Sequence, residues 1–413
     1  MTAWNPVWQV AINGGTYTSV TLSNLTISSG RTDIYQQPIA GYCSVEIINT
    51  DQSNLSIEIN DQIAIQVKDS TNTFVPIFGG FVTDIDQSVR SAGSNAIVQS
   101  FKIVALGALS KLPKILTEGV LSKDFEGNQI YSILSGLLYN AWNEVPAATQ
   151  WNTYNPTETW ANAQNSGLGE IDQPGDYELA ARSANSTDVY SLISALATSG
   201  AGYIYEDAQG RIGYADSTHR SQYLAANGYL ELTGNHAMAK GFSTSRKLGD
   251  IRNKVVITYK NGQQESAQDD ASIALYGQQA QNILTSLENT VDAVSQAEFY
   301  LELRAYPQSL FKSITFELTN PEIDDADRDR LIKVFMGEAL DITELPSNME
   351  AGRFQGFVEG WTFSAGFNQL SVTLNLSPLA FSLQAMKWSD VPITEAWNTI
   401  SPTLDWTNAT IVA

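Results

Sequence analysis

The sequence predicts a mainly β protein with α+β insertions, containing two related β-barrel-like domains and smaller helix-containing domains. Three observations lead to this fold class. Apolar and polar residues alternate over much of residues 7–110 and 312–376, which is the pattern of half-buried strands. Apolar residues at helical spacing appear between these two regions. A short motif occurs once in each strand-rich region.

The length of the chain requires more than one hydrophobic core. It has 413 residues, of which 43% are hydrophobic, whereas a single core rarely grows beyond roughly 250–300 residues. We therefore expect at least two domains.

The first strand-rich region begins with a hairpin pattern. Residues 7–12 and 20–22 are apolar runs on either side of Asn13-Gly14-Gly15, a turn sequence. Further strand patterns follow at residues 55–59, 63–67, 81–85 and 97–106. Many short strands separated by turn residues are typical of a sandwich or barrel.

Two helices are predicted in the segment that follows. Apolar residues over 130–141 share one helical face, with Asn128 as a candidate N-cap. A second helix is predicted over 187–198, with Ser186 or Thr187 as the N-cap.

A long loop, residues 146–176, separates these helices and carries Trp151, Tyr154 and Trp160. Loops of this length are usually functional, and loop aromatics often anchor interfaces. The three aromatic residues are therefore candidate interface residues. The alternative, that they fold back onto their own domain's core, remains open.

Strands return after residue 200. Residues 203–214 predict a hairpin and residues 253–259 a strand, whereas the Gln-rich residues 262–286 predict loop with some helix. A helix is predicted over 289–304, ending before Pro307 because the residue preceding proline avoids the α region.

The repeated motif is Phe-x-Gly-Phe-Val. Its two copies consist of Phe78, Gly80, Phe81 and Val82, and of Phe354, Gly356, Phe357 and Val358. Residues 63–67 and 339–343 are similar strand patterns upstream of the two copies, and residues 44–49 parallel residues 315–320. A match over several strands in the same order predicts duplication of a β-domain. The glycine between the two phenylalanines invites a β-bulge or a close backbone approach.

These patterns divide the chain into five parts. They are a first β-barrel domain over 1–110, with residues 201–250 as candidates to complete it; a helix-containing insertion over 111–200; a strand, polar loop and helix over 251–311; second-barrel strands over 312–387 together with 251–260; and an extended C-terminal tail over 388–413.

The formal net charge of −21 restricts the partners. A chain this acidic has few Lys and Arg residues to neutralise a phosphate backbone, so nucleic-acid binding is disfavoured. Binding to an anionic membrane surface is disfavoured for the same reason. An acidic surface does allow another polyanion to pass without binding. The N-terminus lacks the features of a signal peptide, and no apolar run is long enough for a membrane span.

No catalytic, cofactor or metal site is predicted. Cys43 is the only cysteine and lies in a strand pattern, so we expect it to be buried. The only histidines, His219 and His236, have no partner at metal-ligand spacing. The acidic residues 324–329 imitate a calcium loop but lack its glycine and its final glutamate, so we interpret them as the start of a helix.

The motifs resemble a known family. Residues 32–38, 44–49, 61–65 and 76–82 look like the N-terminal region of phage baseplate hub and minor tail (tail-tip hub) proteins. Residues 358–378 followed by Trp388 look like the closing part of the same proteins.

The resemblance implies a structural virion protein without enzymatic activity, synthesised in the host cytoplasm. Three chains would present six barrels as a hub ring that joins the six-fold tail tube to three-fold central or host-contacting components. The implied partners are two further copies of the chain in a homotrimer, the tail tube or distal tail ring, a fibre or spike, and the tape measure protein. DNA would be present only in transit. No membrane binding and no cofactor are expected. A receptor-binding or cell-wall-degrading tail protein is the alternative.

Overall fold

The computed structural model describes residues 4–50, 55–92, 97–140, 171–238, 243–245, 247–307, 310–347 and 352–378. In chain order, the strands of the described residues are β1 (Trp8–Ile12), β2 (Thr18–Gly30), β3 (Ile39–Asn49), β4 (Gln62–Lys68), β5 (Phe74–Ala92), β6 (Ile97–Leu106), β7 (Leu116–Thr117), β8 (Asp124–Phe125), β9 (Glu178–Leu179), β10 (Thr187–Asp188), β11 (Tyr203–Glu206), β12 (Ile212–Ala215), β13 (Leu230–Thr233), β14 (Ser243–Ser245), β15 (Lys254–Tyr259), β16 (Gln263–Gln268), β17 (Ala280–Leu284), β18 (Leu310–Glu317), β19 (Ala339–Thr343), β20 (Phe354–Gly366) and β21 (Gln369–Pro378). The α-helices are α1 (Glu126–Asn140), α2 (Val189–Ser199), α3 (His219–Asn227), α4 (Asp270–Tyr276), α5 (Thr290–Arg304) and α6 (Asp325–Ile332).

The first six strands form a closed barrel, here called the first barrel. Their order is β1-β4-β5-β6-β3-β2, and β2 pairs with β1 to close the ring. Burial alternates along strands such as β4, so every second side chain lies inside the barrel. The predicted mainly β class and its barrel are therefore confirmed.

A second group of strands, here called the second barrel, consists of β13, β14 and β18 to β21. β20 pairs with β19 and β21, β21 pairs with β18, and β18 pairs with β14. β13 pairs with β19, parallel to it. Between β13 and β14 the chain bonds to β18, where the Met238 N–H donates to the Thr315 carbonyl at 2.8 Å. β13 and β14 thus lie at the two ends of this group, and no strand pairing joins them in the described part of the chain.

This arrangement differs from the expectation that residues 201–250 complete the first barrel. β13 and β14 pair with strands of the second barrel, and the β11–β12 hairpin forms a sheet of its own. The predicted hairpin over 203–214 is confirmed. The sequence patterns alone do not show which barrel a short strand joins, because partner choice depends on long-range pairing.

The helical insertion follows the predicted helices closely. α1 begins at Glu126, so Asn128 lies inside the helix, and it is not the N-cap. α2 ends at Gly200 as a C-cap, but its N-cap is Asp188, whose carboxylate accepts the Ser191 N–H, rather than Ser186 or Thr187. An acidic N-cap serves the same exposed N–H groups as a hydroxyl.

Residues 254–284 form a compact unit that the sequence did not predict. β15 pairs with β16 and β17 in a three-stranded sheet, with α4 between the two partner strands in sequence. Of the loop with some helix predicted over 262–286, the helix is present as α4, but strands β16 and β17 take the place of the loop. The placement of 251–260 in the second barrel was wrong, because β15 pairs only within this separate sheet among the described residues. The polar composition misled because β16 is largely exposed on an outer edge. α5 falls within one residue of its predicted bounds.

The buried apolar residues form two main clusters. One contains the interiors of both barrels and one face of the β11–β12 hairpin, with Tyr203, Tyr205 and Ala215, while the other face of the hairpin belongs to the second cluster. The other joins α1, α2 and α5 to the three-stranded sheet. Cys43 is fully buried in the first of these clusters, as predicted.

Candidate functional site: the joint between two related barrels

The two motif copies occupy equivalent strands with equivalent pairing. In the first barrel Ile63 faces Gly80, and in the second Leu340 faces Gly356. On the other side of each strand, Phe81 faces Leu106 and Phe357 faces Ser377. β5 and β20 therefore have the same register against both of their neighbours over the motif.

The motif glycines permit the same close backbone approach in both barrels. A Cβ atom on Gly80 would collide with the Leu106 carbonyl oxygen and lie 2.7 Å from the Phe78 ring. A Cβ on Gly356 would collide with the Ser377 carbonyl oxygen and lie 2.8 Å from the Phe354 ring. The first phenylalanine of each copy thus covers its glycine, which explains why this position excludes a side chain.

The bulge that the motif glycine invites lies elsewhere. Register shifts occur between Val82 and Asp84 and between Val358 and Gly360. The extra residue is Thr83 in the first barrel and Glu359 in the second, one position after each motif. The glycine therefore serves the close approach, and the bulge follows it.

The correspondence of β3 and β18 is shifted by two residues from the sequence alignment. Val45 faces Ile103, and Ile314 faces Leu374, the β21 counterpart of Ile103. The match by sequence, which pairs residues 44–49 with residues 315–320, makes Phe316 the counterpart of Val45. A shift of two preserves the buried face, so the alternating pattern cannot distinguish the two registers.

The two barrels are joined edge to edge. Residues 25–30 of β2 pair antiparallel with residues 360–365 of β20, so the two barrels share one continuous twelve-stranded sheet. At the end of this contact Gly30 has a φ of +87°, and its Cα hydrogens face the backbone of Glu359 and Gly360. A side chain at Gly30 has no space, so glycine is required where the barrels meet.

A buried ionic network fastens this joint. Glu359 is 1% exposed and accepts hydrogen bonds from Arg31 Nε at 2.7 Å and from Arg220 at 2.7 and 2.9 Å. The Ser377 hydroxyl donates to the same carboxylate at 2.5 Å. The network ties the end of β2, helix α3 and two strands of the second barrel together.

Electrostatics keep this carboxylate ionised. Burial by itself would raise the pKa of Glu359, but the Arg220 and Arg31 guanidinium groups outweigh it and lower that pKa to about 2. Both guanidinium groups also lie over the Tyr203 ring, with centroid distances of 5.2 Å for Arg31 and 4.7 Å for Arg220. One carboxylate thus faces two guanidinium groups, and Arg31 also donates to the Ile34 and Gln36 carbonyl oxygens.

A second polar cluster lies beside the joint. His219 Nδ1 is 2.7 Å from Asp172 Oδ2, and the same oxygen accepts the Asp216 N–H at 3.0 Å. Burial, together with the charge of Asp172, raises the pKa of Asp216 to about 7. No local pattern in the sequence points from His219 to Asp172, because the two residues are 47 positions apart in the chain.

Glu126 extends this acidic region. It is fully buried and accepts the N–H groups of Asp176 and Tyr177, each at 2.8 Å. Burial raises the pKa of Glu126 to about 8. Within the described ranges, no group of three or more His, Cys, Asp or Glu side chains could hold a metal ion.

The remaining predicted features fall into two groups. Trp151, Tyr154, Trp160 and the tail over 388–413 lie outside the described residues. The acidic residues 324–329 do begin a helix, because the Asp324 carboxylate accepts the Asp327 N–H as the N-cap of α6. None of the helices in the described part of the chain is long and apolar enough to cross a membrane.

Comparison with solved structures shows that known proteins share this architecture. The structure is similar to a tail protein from Neisseria meningitidis MC58, with a TM-score of 0.57 and 10% identity over 91% of this chain and 98% of the other. The chain shares its fold with this tail protein. The 43 kDa tail protein of prophage MuSo2 from Shewanella oneidensis also matches, with a TM-score of 0.53 and 10% identity over 94% of this chain and all of the other.

The sequence comparisons found no match. No protein-family model matches the chain, and a search of curated proteins found no match. The fold is therefore shared with these tail proteins without recognisable sequence similarity.

Proposed function

We propose that the chain is a non-enzymatic structural subunit of a bacteriophage tail tip, where three copies form a hub ring. The observation that carries this proposal is the pair of barrels in one chain. They share the register of the motif strand against both of its neighbours, and they are joined edge to edge through β2 and β20. We attribute the shared register to duplication of an ancestral β-domain.

The symmetry of a tail explains why such a pair is useful. A tail tube has six-fold symmetry, whereas a central fibre or spike has three-fold symmetry. Three chains that each supply two similar barrels offer six similar contacts on one side and three identical contacts on the other. The proposed partners are the tail tube or distal tail ring, a fibre or spike, and the tape measure.

The charge of the chain supports passage of DNA through such a ring. A net charge of −21 repels a phosphate backbone instead of binding it. A ring lined by such a surface would let DNA move through without sticking. In this proposal the protein belongs to the virion tail, and DNA is only a transient neighbour.

The solution mass of the purified protein tests the proposal. Multi-angle light scattering at several concentrations is expected to give three times the mass of the 45.0 kDa chain. A stable dimer or tetramer would contradict the ring, because neither can present six barrels in equivalent positions around a three-fold axis.

A turbidity assay tests the non-enzymatic part of the proposal. Purified protein is expected to leave suspended host cell walls unchanged over hours, with lysozyme as the positive control. Clearing at a rate proportional to protein concentration would instead support a cell-wall-degrading tail protein.

A further inference from the structure

One edge of the first barrel is uncovered where the equivalent edge of the second barrel is paired. Residues 360–365 of β20 pair with β21 on one side and with β2 on the other. Their counterparts, residues 84–89 of β5, pair with β6 on one side. Among the described residues, no strand pairs with the other side of residues 84–89.

Side-chain exposure follows the same difference. Ala365, which faces Leu25 of β2, is 5% exposed, whereas its counterpart Val89 is 59% exposed. Phe363 is 1% exposed, and its counterpart Gln87 is exposed. The strand that covers β20 therefore also shields inner-face positions, and the first barrel lacks that cover within the described part of the chain.

A strand with a free outer edge lies at the other end of the twelve-stranded sheet in the described part of the chain. β14 pairs with β18 and is the last strand in the sheet order of the described residues. Ser243 of β14 faces Ser313 of β18. The counterpart of Ser313 in β3 is Ser44, and Ser44 faces Thr26 of β2. By this register β14 is the counterpart of the part of β2 that covers β20.

We propose that β14 of one copy pairs antiparallel with the free β5 edge of a second copy, repeating between chains the β2–β20 joint within each chain. The proposal rests on the tail-tip ring and names the surface that builds it. The internal joint sets the register: because Thr26 faces Ser364, Ser243 of one chain would face Ser88 of the next. A head-to-tail contact of this kind closes into a ring when three chains complete the turn.

The free edge of β5 is acidic, and the chain just beyond β14 supplies a basic residue. The outer edge of β5 carries the exposed residues Asp84 and Asp86, and the chain beyond β14 reaches the exposed Lys247. Acidic residues on a bare strand edge also discourage pairing with unrelated strands. A basic group at the end of β14 would offset that protection for the correct partner only.

Disulfide trapping tests the proposed register. Directly opposed residues of an antiparallel pair have Cβ atoms about 4.5–5.5 Å apart, close to disulfide distance. The double variant Ser88→Cys with Ser243→Cys is expected to give covalent dimers and trimers on a non-reducing gel after mild oxidation, and no larger species. Cys43 is buried and should not contribute background.

Matched controls separate specific pairing from random collision. Each single variant should stay monomeric on the gel, and Ser243→Cys with Ser364→Cys should also stay monomeric, because β2 already occupies the edge of β20. A double variant that is trimeric by light scattering but forms no disulfide between positions 88 and 243 would overturn the strand pairing and leave the ring intact. A protein that is not trimeric would overturn the ring and this pairing with it.

Discussion

At the scale of single residues, the decisive side chain is Glu359. It stands at the bulge after the second motif, where the first barrel has Thr83. A carboxylate in an apolar strand is costly unless it is paired, and here two arginines from distant parts of the chain pair it. The sequence contains a hint, because a glutamate interrupts an otherwise apolar run. Its partners were not predictable, because they lie 328 and 139 residues away.

Replacing Glu359 by Gln should strongly destabilise the protein. The variant keeps the shape of the side chain but leaves the Arg31 and Arg220 guanidinium groups buried without a counter-charge. Removing one partner of a buried ionic network typically costs about 3–5 kcal/mol. Urea unfolding at neutral pH should therefore show a reduced free energy of unfolding, while Glu322→Gln on the exposed surface should be nearly neutral.

The effect of Glu359→Gln should also depend on pH. The pKa of Glu359 is depressed to about 2 from the ordinary value of 4.5, so its contribution is fully present above pH 4.5 and is lost as the pH falls through about 2. The difference between wild type and variant should shrink across that window. A constant difference would mean that the charge is not what stabilises the joint.

At the scale of elements, the barrels keep their strand order and differ in detail. The motif strands retain the same register, but β13 runs parallel to β19, whereas β1 runs antiparallel to β4. The strand beside β19 thus runs in the opposite sense to the strand beside β4. In both barrels the motif strand has its glycine, the phenylalanine ring that covers the glycine and the following bulge in the same register.

Substituting the motif glycines tests this constancy. Gly80→Ala and Gly356→Ala should destabilise the protein by similar amounts, about 1–3 kcal/mol each, because both Cβ atoms meet a backbone carbonyl that cannot move aside. Thermal or urea unfolding measures the loss. Gly366→Ala, near the end of β20 and with open space around it, is the matched control and should change stability by less than about 0.5 kcal/mol. Unequal losses at the two motif positions would argue against equivalent environments.

At the scale of the whole molecule, several buried carboxyls lack a fully compensating cation. Burial raises the pKa of Glu126 to about 8 and the pKa values of Glu206, Asp216 and Glu338 to about 7. These groups lie in different parts of the fold, so their ionisation affects the molecule as a whole.

Stability should therefore fall as the pH rises from 6 to 9. A carboxyl whose pKa is raised on folding binds its proton more tightly in the folded state, so its contribution is full at low pH and is lost as the pH rises through the folded value. Each group can lower the free energy of unfolding by up to about 1.4 kcal/mol per pH unit between its unfolded and folded pKa values, and the loss levels off above the folded value. Denaturant midpoints at pH 6, 7.5 and 9 measure the slope.

Asp216→Asn identifies one source of that slope. Oδ1 of Asp216 accepts from the Thr218 N–H, the Thr218 hydroxyl and the His219 N–H, and an asparagine oxygen can accept the same bonds. The variant should flatten the fall in stability between pH 6 and 9. An unchanged slope would show that Asp216 is already ionised at pH 6 in the folded protein.

The sequence by itself determined the mainly β class, the bounds of α2 and α5 to within two residues, and the strands that carry the repeated motif. These follow from local periodicity, because burial on one face imposes a period of 2 or 3.6 wherever the strand or helix lies. Only the tertiary structure decided that β13 and β14 join the second barrel, that β15 to β17 form a separate sheet, and that Arg31 and Arg220 meet Glu359. Such pairings depend on contacts between residues far apart in the chain, and alternation along a strand carries no information about which edge will lie beside it.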